Sequence, residues 1–322
     1  MRRGLAVLGA ALALLGSSLA PARARAAGGG PTLLEKDVNL DESLRLGGLL
    51  HNAGFDVDFT RVREQSVSLG DRVNAGLGYD VFVSVHNNSS ANRAVHGTEI
   101  YFQIGNNDGS QLAWSLLNHI SQAAGTSARF TQARRGDRGD YYYVLRNSPE
   151  LAVIVEGAYL SNGDEAHRLG DPEFRQRLAQ GIFDGLVARL GLVRFRTGDG
   201  PPPPKATPAG PLLPAPSKVA AVRTGPGLAA VSWETVGHAT GYEVWRDGSL
   251  AATIGAPASA TVSWADGGLA AGLHHYDVRA FLDAGGQRLA ESDTSPADVL
   301  MPWRVMIDPG HGGQDPGAVG HL

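Results

Sequence analysis

Apolar positions between residues 34 and 192 recur in two alternating rhythms. Leu46, Leu49, Leu50 and Ala53 have the spacing of one helix face and Gly54 follows as a stop, which predicts a helix over about residues 35–53. Phe55, Val57 and Phe59 alternate with Asp56, Asp58 and Thr60, as in a strand with one drier face. The runs 80–85 and 151–155 are short and nearly continuously apolar, as expected of strands covered on both faces, and they stop at His86 and Glu156. Asp171-Pro172 supplies an N-cap with proline at N1, and Phe174, Leu178, Ile182, Leu186 and Leu190 then repeat every four residues, predicting a long helix that closes the domain. Strand-like runs alternating with helical ones predict an α/β domain, a mostly parallel sheet flanked by helices.

The rhythm then changes. Residues 193–217 carry four consecutive prolines, Pro201 to Pro204, and more at 208, 211, 214 and 216, which predicts a semi-rigid linker in extended polyproline geometry. Over 218–300 short strands follow at 229–233, 242–246, 261–264 and 275–280, separated by turns such as Asp247-Gly248 and Asp266-Gly267-Gly268. They predict a small all-β sandwich. Trp233, Tyr242 and Val244, with Leu269 seven residues before Tyr276, resemble a fibronectin type III module and its tyrosine corner. Those aromatics fill a core, nothing in the segment has the pattern of a catalytic site, and His274 and His275 read as strand surface or edge.

Composition narrows the chemistry. Lys and Arg number 28 against 32 Asp and Glu, a formal net charge of −4, and no basic cluster is dense enough to track a phosphate backbone, so nucleic acid is not an expected partner. The absence of cysteine excludes disulfides, thiolate zinc sites and thiol nucleophiles, so any metal must be held by His and carboxylates. Arg2 and Arg3 precede an apolar run over 4–19 and then Ala22-Arg23-Ala24, a small-x-small cleavage pattern. This reads as a secretory signal peptide over 1–24 and implies a secreted, periplasmic or wall location; the Arg pair is also compatible with twin-arginine export. A run of about 16 apolar residues is short for a bilayer span, so no stable membrane span is expected after cleavage.

The last twenty residues hold the most chemistry. Arg304-Val305-Met306-Ile307 is a short strand that stops at Asp308-Pro309-Gly310-His311-Gly312-Gly313, a glycine-rich turn with one His. This segment resembles the opening strand and turn of the zinc-dependent N-acetylmuramoyl-L-alanine amidases of bacterial cell walls. The similarity continues through Glu35-Lys36-Asp37-Val38-Asn39-Leu40, Thr60-Arg61, Ser84-Val85-His86-Asn87-Asn88, Gly97-Thr98-Glu99 and Val155-Glu156-Gly157-Ala158-Tyr159-Leu160-Ser161-Asn162. The resemblance implies Zn2+ held by His311, Glu35 and His86, with Glu156 as the catalytic carboxylate. Two imidazoles and a carboxylate with one open position are an ordinary hydrolytic zinc set. It further implies a peptidoglycan substrate cut between the muramic acid lactyl group and L-Ala. A zinc peptidase acting within the stem peptide and a non-catalytic peptidoglycan-binding protein are the rivals. Arg146 reads either as a contact to the acidic glycan-peptide or as a surface ion pair, and His51, His96, His119, His167 and His321 sit in no ligand spacing.

In that family the His-bearing strand precedes the Glu-bearing helix, whereas here His311 lies far downstream of Glu35. The implied order is circularly permuted: a signal peptide (1–24), a catalytic domain lacking its first strand (31–192), the linker (193–217), the fibronectin-like module (218–300) and the first strand with its metal-binding turn (302–322). Three arrangements fit this order: a tail docked on its own domain, a tail docked on a neighbouring chain in a strand-swapped oligomer, and a misjoined or truncated tandem gene. A polyproline linker of about 25 residues at ~3.1 Å each spans ~75 Å, enough for self-docking around a small sandwich.

Overall fold

The computed structural model describes residues 32–149, 151–191 and 213–322. The expected signal segment and most of the expected linker therefore lie outside the described residues. The first part of the chain forms β1 (Thr32–Leu34), α1 (Glu35–Asn52), β2 (Asp56–Phe59), α2 (Leu69–Gly76), β3 (Val81–Asn88), β4 (Thr98–Phe102) and α3 (Asn107–Ala124). It continues as β5 (Ala128–Gln132), a short hairpin of β6 (Arg135–Gly136) and β7 (Gly139–Asp140), α4 (Tyr143–Asn147), β8 (Leu151–Tyr159), α5 (Gly163–Gly170) and α6 (Pro172–Leu190). The Asp171 side chain caps α6 by accepting from the Glu173 N–H at 3.0 Å, as its sequence predicts.

Eight strands follow: β9 (Ala220–Gly225), β10 (Leu228–Glu234), β11 (Gly241–Arg246), β12 (Ser249–Gly255), β13 (Thr261–Gly267), β14 (Gly272–Ala284), β15 (Gln287–Glu291) and β16 (Ser295–Met301). They make two antiparallel sheets, β13-β10-β9 and β12-β11-β14-β15, with β16 also on β14. Trp233, Tyr242, Val244, Val262, Tyr276 and Val278 pack between them. Two details depart from the sequence reading. The Tyr276 hydroxyl donates to the Asp266 carboxylate at 2.7 Å, where a tyrosine corner would reach backbone. Residues 213–217, expected in the linker, already join the sandwich: Leu213 bridges Ser292, and Ser217 accepts from the Glu234 N–H at 2.9 Å.

The chain then returns to the first domain as β17 (Arg304–Pro309) and β18 (Val319–His321). β17 inserts between β2 and β3, one strand in from the edge of a six-stranded mixed sheet of order β2-β17-β3-β8-β4-β5. All its neighbours are parallel except β4 on β8. β18 pairs antiparallel with β1. In this chain the tail therefore docks on its own domain. Alternate residues of the central strands face opposite layers: Val83, Val85, Val153, Val155, Val305 and Ile307 pack with α1, α3 and α6, while Phe82, Ile154 and Met306 pack with α2 and α4. Among the described residues, no helix is long and apolar enough to cross a membrane.

Candidate metal centre

β17 is held at its carboxyl end by buried polar chemistry. The Asp308 carboxylate, 1% exposed, accepts from Thr60 Oγ1 at 2.5 Å, from Ser84 Oγ at 2.8 Å and from the Arg72 guanidinium. Arg72 also donates to the carbonyls of Pro309 (2.8 Å) and His311 (2.7 Å), and buried Arg61 donates to those of Pro309 (3.0 Å), Gly310 (2.9 Å) and Lys36 (2.8 Å). Two guanidiniums thus fix three consecutive carbonyls of the turn, and His311 takes a left-handed backbone, φ 59°.

The same tail caps α1. The first helical N–H groups have no partner inside the helix; here Glu35 N donates to Ala318 O at 3.0 Å and Lys36 N to Pro316 O at 3.1 Å. This puts the Glu35 side chain, 4% exposed, against both imidazoles: Oε1 lies 3.0 Å from His86 Nδ1 and Oε2 lies 3.2 Å from His311 Nε2. Ligating atoms of Glu35, His86 and His311 all lie within 4.8 Å of one another, the one such group found among the described residues. The Asp315 carboxylate holds His311 Nδ1 at 2.8 Å, the partner that orients a metal-binding imidazole through its other nitrogen. The cradle is tight. A Cβ on Gly310 would fall 2.1 Å from the His86 ring, and one on Gly317 would fall 2.5 Å from Glu35 Oε2.

Electrostatics bind the three together. Burial raises the Glu35 carboxyl, but hydrogen bonds and charge from His311 and His86 outweigh it and hold the group well below the usual carboxylate range. Burial opposes protonation of His311, yet hydrogen bonds and charge from Glu35 and Asp315 push it up to about 9. So negative a pocket suits a divalent cation, and the donor set of two imidazoles and one carboxylate fits zinc.

Glu156 sits beside this group. In the β3–β8 register it lies opposite His86, and in the β8–β4 register opposite Glu99, so the three stand in one row across the sheet. Its Oε2 is buried and, among the described residues, has no hydrogen-bond partner. Burial, then the charges of Glu35 and Glu99, raise its carboxyl well above the ordinary value. Glu99 differs: its carboxylate takes Arg129 Nε (2.6 Å), the Tyr159 hydroxyl (2.5 Å), the Tyr101 hydroxyl (2.9 Å) and Asn88 Nδ2 (3.1 Å).

The structure thus brings His311, Glu35, His86 and Glu156 to one place, with one correction to the sequence reading. His86 and Glu156 do not end their strands, because β3 runs on to Asn88 and β8 to Tyr159. Both strands run on because their backbone pairing does, with Asn88 opposite Tyr159. Arg146 forms no ion pair among the described residues: Nη1 donates to the Asp140 carbonyl at 2.6 Å. His51, His96, His119, His167 and His321 lie outside the metal-capable group. Sequence reasoning assigned no role to Arg61, Arg72, Glu42 or Glu99. Glu42 carried a signal, since Glu35, Asn39 and Glu42 share one helix face; it is buried and accepts from Asn87 Nδ2 at 3.1 Å.

Comparison with known proteins gives consistent matches. The family model described as N-acetylmuramoyl-L-alanine amidase matches residues 22–188. The N-acetylmuramoyl-L-alanine amidase LytC of Bacillus subtilis (strain 168) is 31% identical over 165 residues, covering 49% of this chain and 32% of that protein. The probable cell wall amidase LytH of Staphylococcus epidermidis is 33% identical over 153 residues, covering 48% of this chain and 49% of that protein. The aligned part of the chain therefore spans 32–49% of the length of these relatives. Among solved structures, the catalytic domain of CwlV, an N-acetylmuramoyl-L-alanine amidase from Bacillus (Paenibacillus) polymyxa var. colistinus, is 34% identical, with a TM-score of 0.45 over 49% of this chain and 86% of that one. The amidase AmiC2 of Nostoc punctiforme is 31% identical, with a TM-score of 0.45 over 49% and 85%.

Proposed function

The chain belongs to the N-acetylmuramoyl-L-alanine amidase family, and from that premise we propose that it is an exported zinc hydrolase cutting the amide between N-acetylmuramic acid and L-Ala of the peptidoglycan stem. The observation that carries this reading is the convergence of Glu35, His86 and His311 within 4.8 Å, with Glu156 opposite His86 on the next strand. Glu35, His86 and His311 would hold the metal. Zinc, when bound, supplies a Lewis acid that polarises the amide carbonyl and makes water more acidic.

The remaining steps belong to side chains of this protein. Glu156, whose Oε2 has no hydrogen-bond partner among the described residues, accepts the proton of the attacking water as the water oxygen adds to the carbonyl carbon. It then returns the proton to the amide nitrogen as the C–N bond breaks, releasing an L-Ala amino terminus. Asp315 fixes the His311 ring, and Arg61 and Arg72 fix its backbone.

On this reading 1–24 is a cleaved export signal, the site of action is periplasm or wall, and the 218–300 module is a fibronectin type III-like spacer or wall-facing adaptor. The non-catalytic binding alternative supposes a trio left incomplete by the displaced tail, and the position of His311 next to Glu35 favours the hydrolase. The test is incubation of the chain from residue 25 onward with purified peptidoglycan, with zinc and after chelation. Zinc-dependent release of L-Ala-headed peptides from intact glycan is expected. Cleavage inside the stem would instead mark a peptidase, and no release from folded, zinc-loaded protein would overturn the hydrolase reading.

A further inference from the structure

Beyond Glu156 the same sheet face continues into an aromatic and cationic wall that the mechanism above does not use. Glu99, opposite Glu156, accepts from the Tyr101 hydroxyl; the Tyr101 ring packs on Tyr142 at 4.8 Å between centroids, and Tyr142 on Tyr141 at 5.2 Å. Arg134 lies on this run. Its guanidinium carbon is 3.9 Å from the Tyr141 ring centroid, and Nη1 donates to the Tyr142 hydroxyl at 3.4 Å. Arg146, whose Nη1 bonds the Asp140 carbonyl, steadies the start of the tyrosine run from the other side.

Three features make Arg134 a receptor for an anion. It is exposed, and among the described residues no carboxylate pairs with it, while neighbouring Arg129 is already spent on Glu99. A guanidinium carries five N–H donors, and stacking on a ring fixes its plane while leaving its edge free for a bidentate carboxylate. The segment 134–146 holds four arginines and two aspartates in a chain of net charge −4, so its positive sign is local.

We propose that Arg134, held by Tyr141 and Tyr142, binds a free carboxylate of the stem peptide on the leaving side of the cut amide, and so selects acidic over amidated stems. The proposal rests on the hydrolase reading for the identity of the substrate. Distance supports it. Arg134 donates to the Tyr142 hydroxyl at 3.4 Å, the Tyr142 and Tyr101 rings pack 4.8 Å apart, the Tyr101 hydroxyl donates to Glu99 at 2.9 Å, and Glu99 is about 5 Å by strand spacing from Glu156. An extended peptide advances about 3.3 Å per residue, which places a carboxylate two to four residues past the scissile amide within reach.

The test uses three soluble muramoyl tetrapeptides: one with both the second-residue and terminal carboxyls free, one amidated at the second residue and one amidated at the terminus. Wild-type protein, Arg134→Ala and Arg134→Lys are compared for kcat and KM, and binding of the corresponding free tetrapeptides is measured on a Glu156→Gln background. Arg134→Ala is expected to raise KM for the fully acidic substrate about tenfold with kcat nearly unchanged, and Arg134→Lys to restore part of it. One of the two amidations should raise the wild-type KM equally and add nothing to the Arg134→Ala variant, which names the carboxylate concerned. Equal KM values for wild type and Arg134→Ala, or equal losses on all three substrates, would overturn the proposal. If wild type cleaves none of them the hydrolase reading fails by itself, and the binding series still decides: weaker binding of only the acidic tetrapeptides to the Arg134→Ala background supports the proposal, and unchanged binding refutes it.

Discussion

Arg72 of α2 and Asp308 of β17 form a buried ion pair, their side chains only 6% and 1% exposed, that joins the first domain to a strand more than two hundred residues downstream. The pair does not stand alone, since Thr60 and Ser84 complete the Asp308 shell and Arg72 reaches on to the His311 carbonyl. A strand with hydrophobic neighbours on both faces would insert for its apolar area alone. The charged anchor adds register: a slip of one residue would leave both a guanidinium and a carboxylate buried and unpaired.

Breaking that anchor should release the tail. Asp308→Asn leaves Arg72 buried with an uncompensated charge, and the expected cost is about 3–5 kcal/mol. Limited proteolysis should then cut within 302–322 under conditions that spare the wild-type tail. An unchanged cleavage pattern together with an unchanged melting temperature would show that the ion pair does not hold β17.

Removal of the tail tests the metal assignment directly. Truncation after Met301 deletes His311, exposes the facing edges of β2 and β3, and leaves the first N–H groups of α1 without the Ala318 and Pro316 carbonyls. Zinc content after dialysis should fall from one equivalent to none. A synthetic 302–322 peptide added in trans should restore part of it. Stoichiometric zinc in the truncated protein would refute His311 as a ligand.

Glu156 should separate chemistry from metal binding. Glu156→Gln keeps the shape, removes the proton carrier and takes an ionisable group out of a buried site that disfavours its charged form. Turnover is expected to drop by at least about a hundredfold while zinc content stays at one equivalent and thermal stability holds or rises. Turnover within a factor of two of wild type would remove Glu156 from the mechanism.

The sequence made some of this legible and hid the rest for physical reasons. α1, α6, β3, β8 and β17 were readable because each buries a whole stripe or both faces, and that writes a strong period. β9, β12 and β15 were not, because their side chains are largely exposed and carry little pattern. The metal trio was readable only through motif resemblance, since Glu35, His86 and His311 become neighbours through β17 pairing between β2 and β3, a contact no local pattern encodes. Arg72 stayed silent, and Arg61 entered only as part of the Thr60-Arg61 match without a role, because a buried arginine that serves backbone carbonyls looks, in sequence, like any surface arginine.

Glu42 gives the last prediction, a dependence of stability on pH. Its carboxyl is 1% exposed and is pushed up to about 8 by burial, which outweighs the hydrogen bond from Asn87. The folded protein therefore holds a proton there between about pH 4.5 and 8 that the unfolded chain releases. Because the folded state binds the extra proton, stability falls as pH rises through that window and levels off above about 8. Glu42→Gln keeps an acceptor for Asn87 without the charge, so it should flatten this slope and stabilise the protein at pH 8 by roughly 2–4 kcal/mol, with little effect near pH 5. Urea unfolding of both proteins at pH 5 and 8, with chelator present throughout, measures the difference; the same slope in both would mean that Glu42 is ionised in the folded protein at neutral pH.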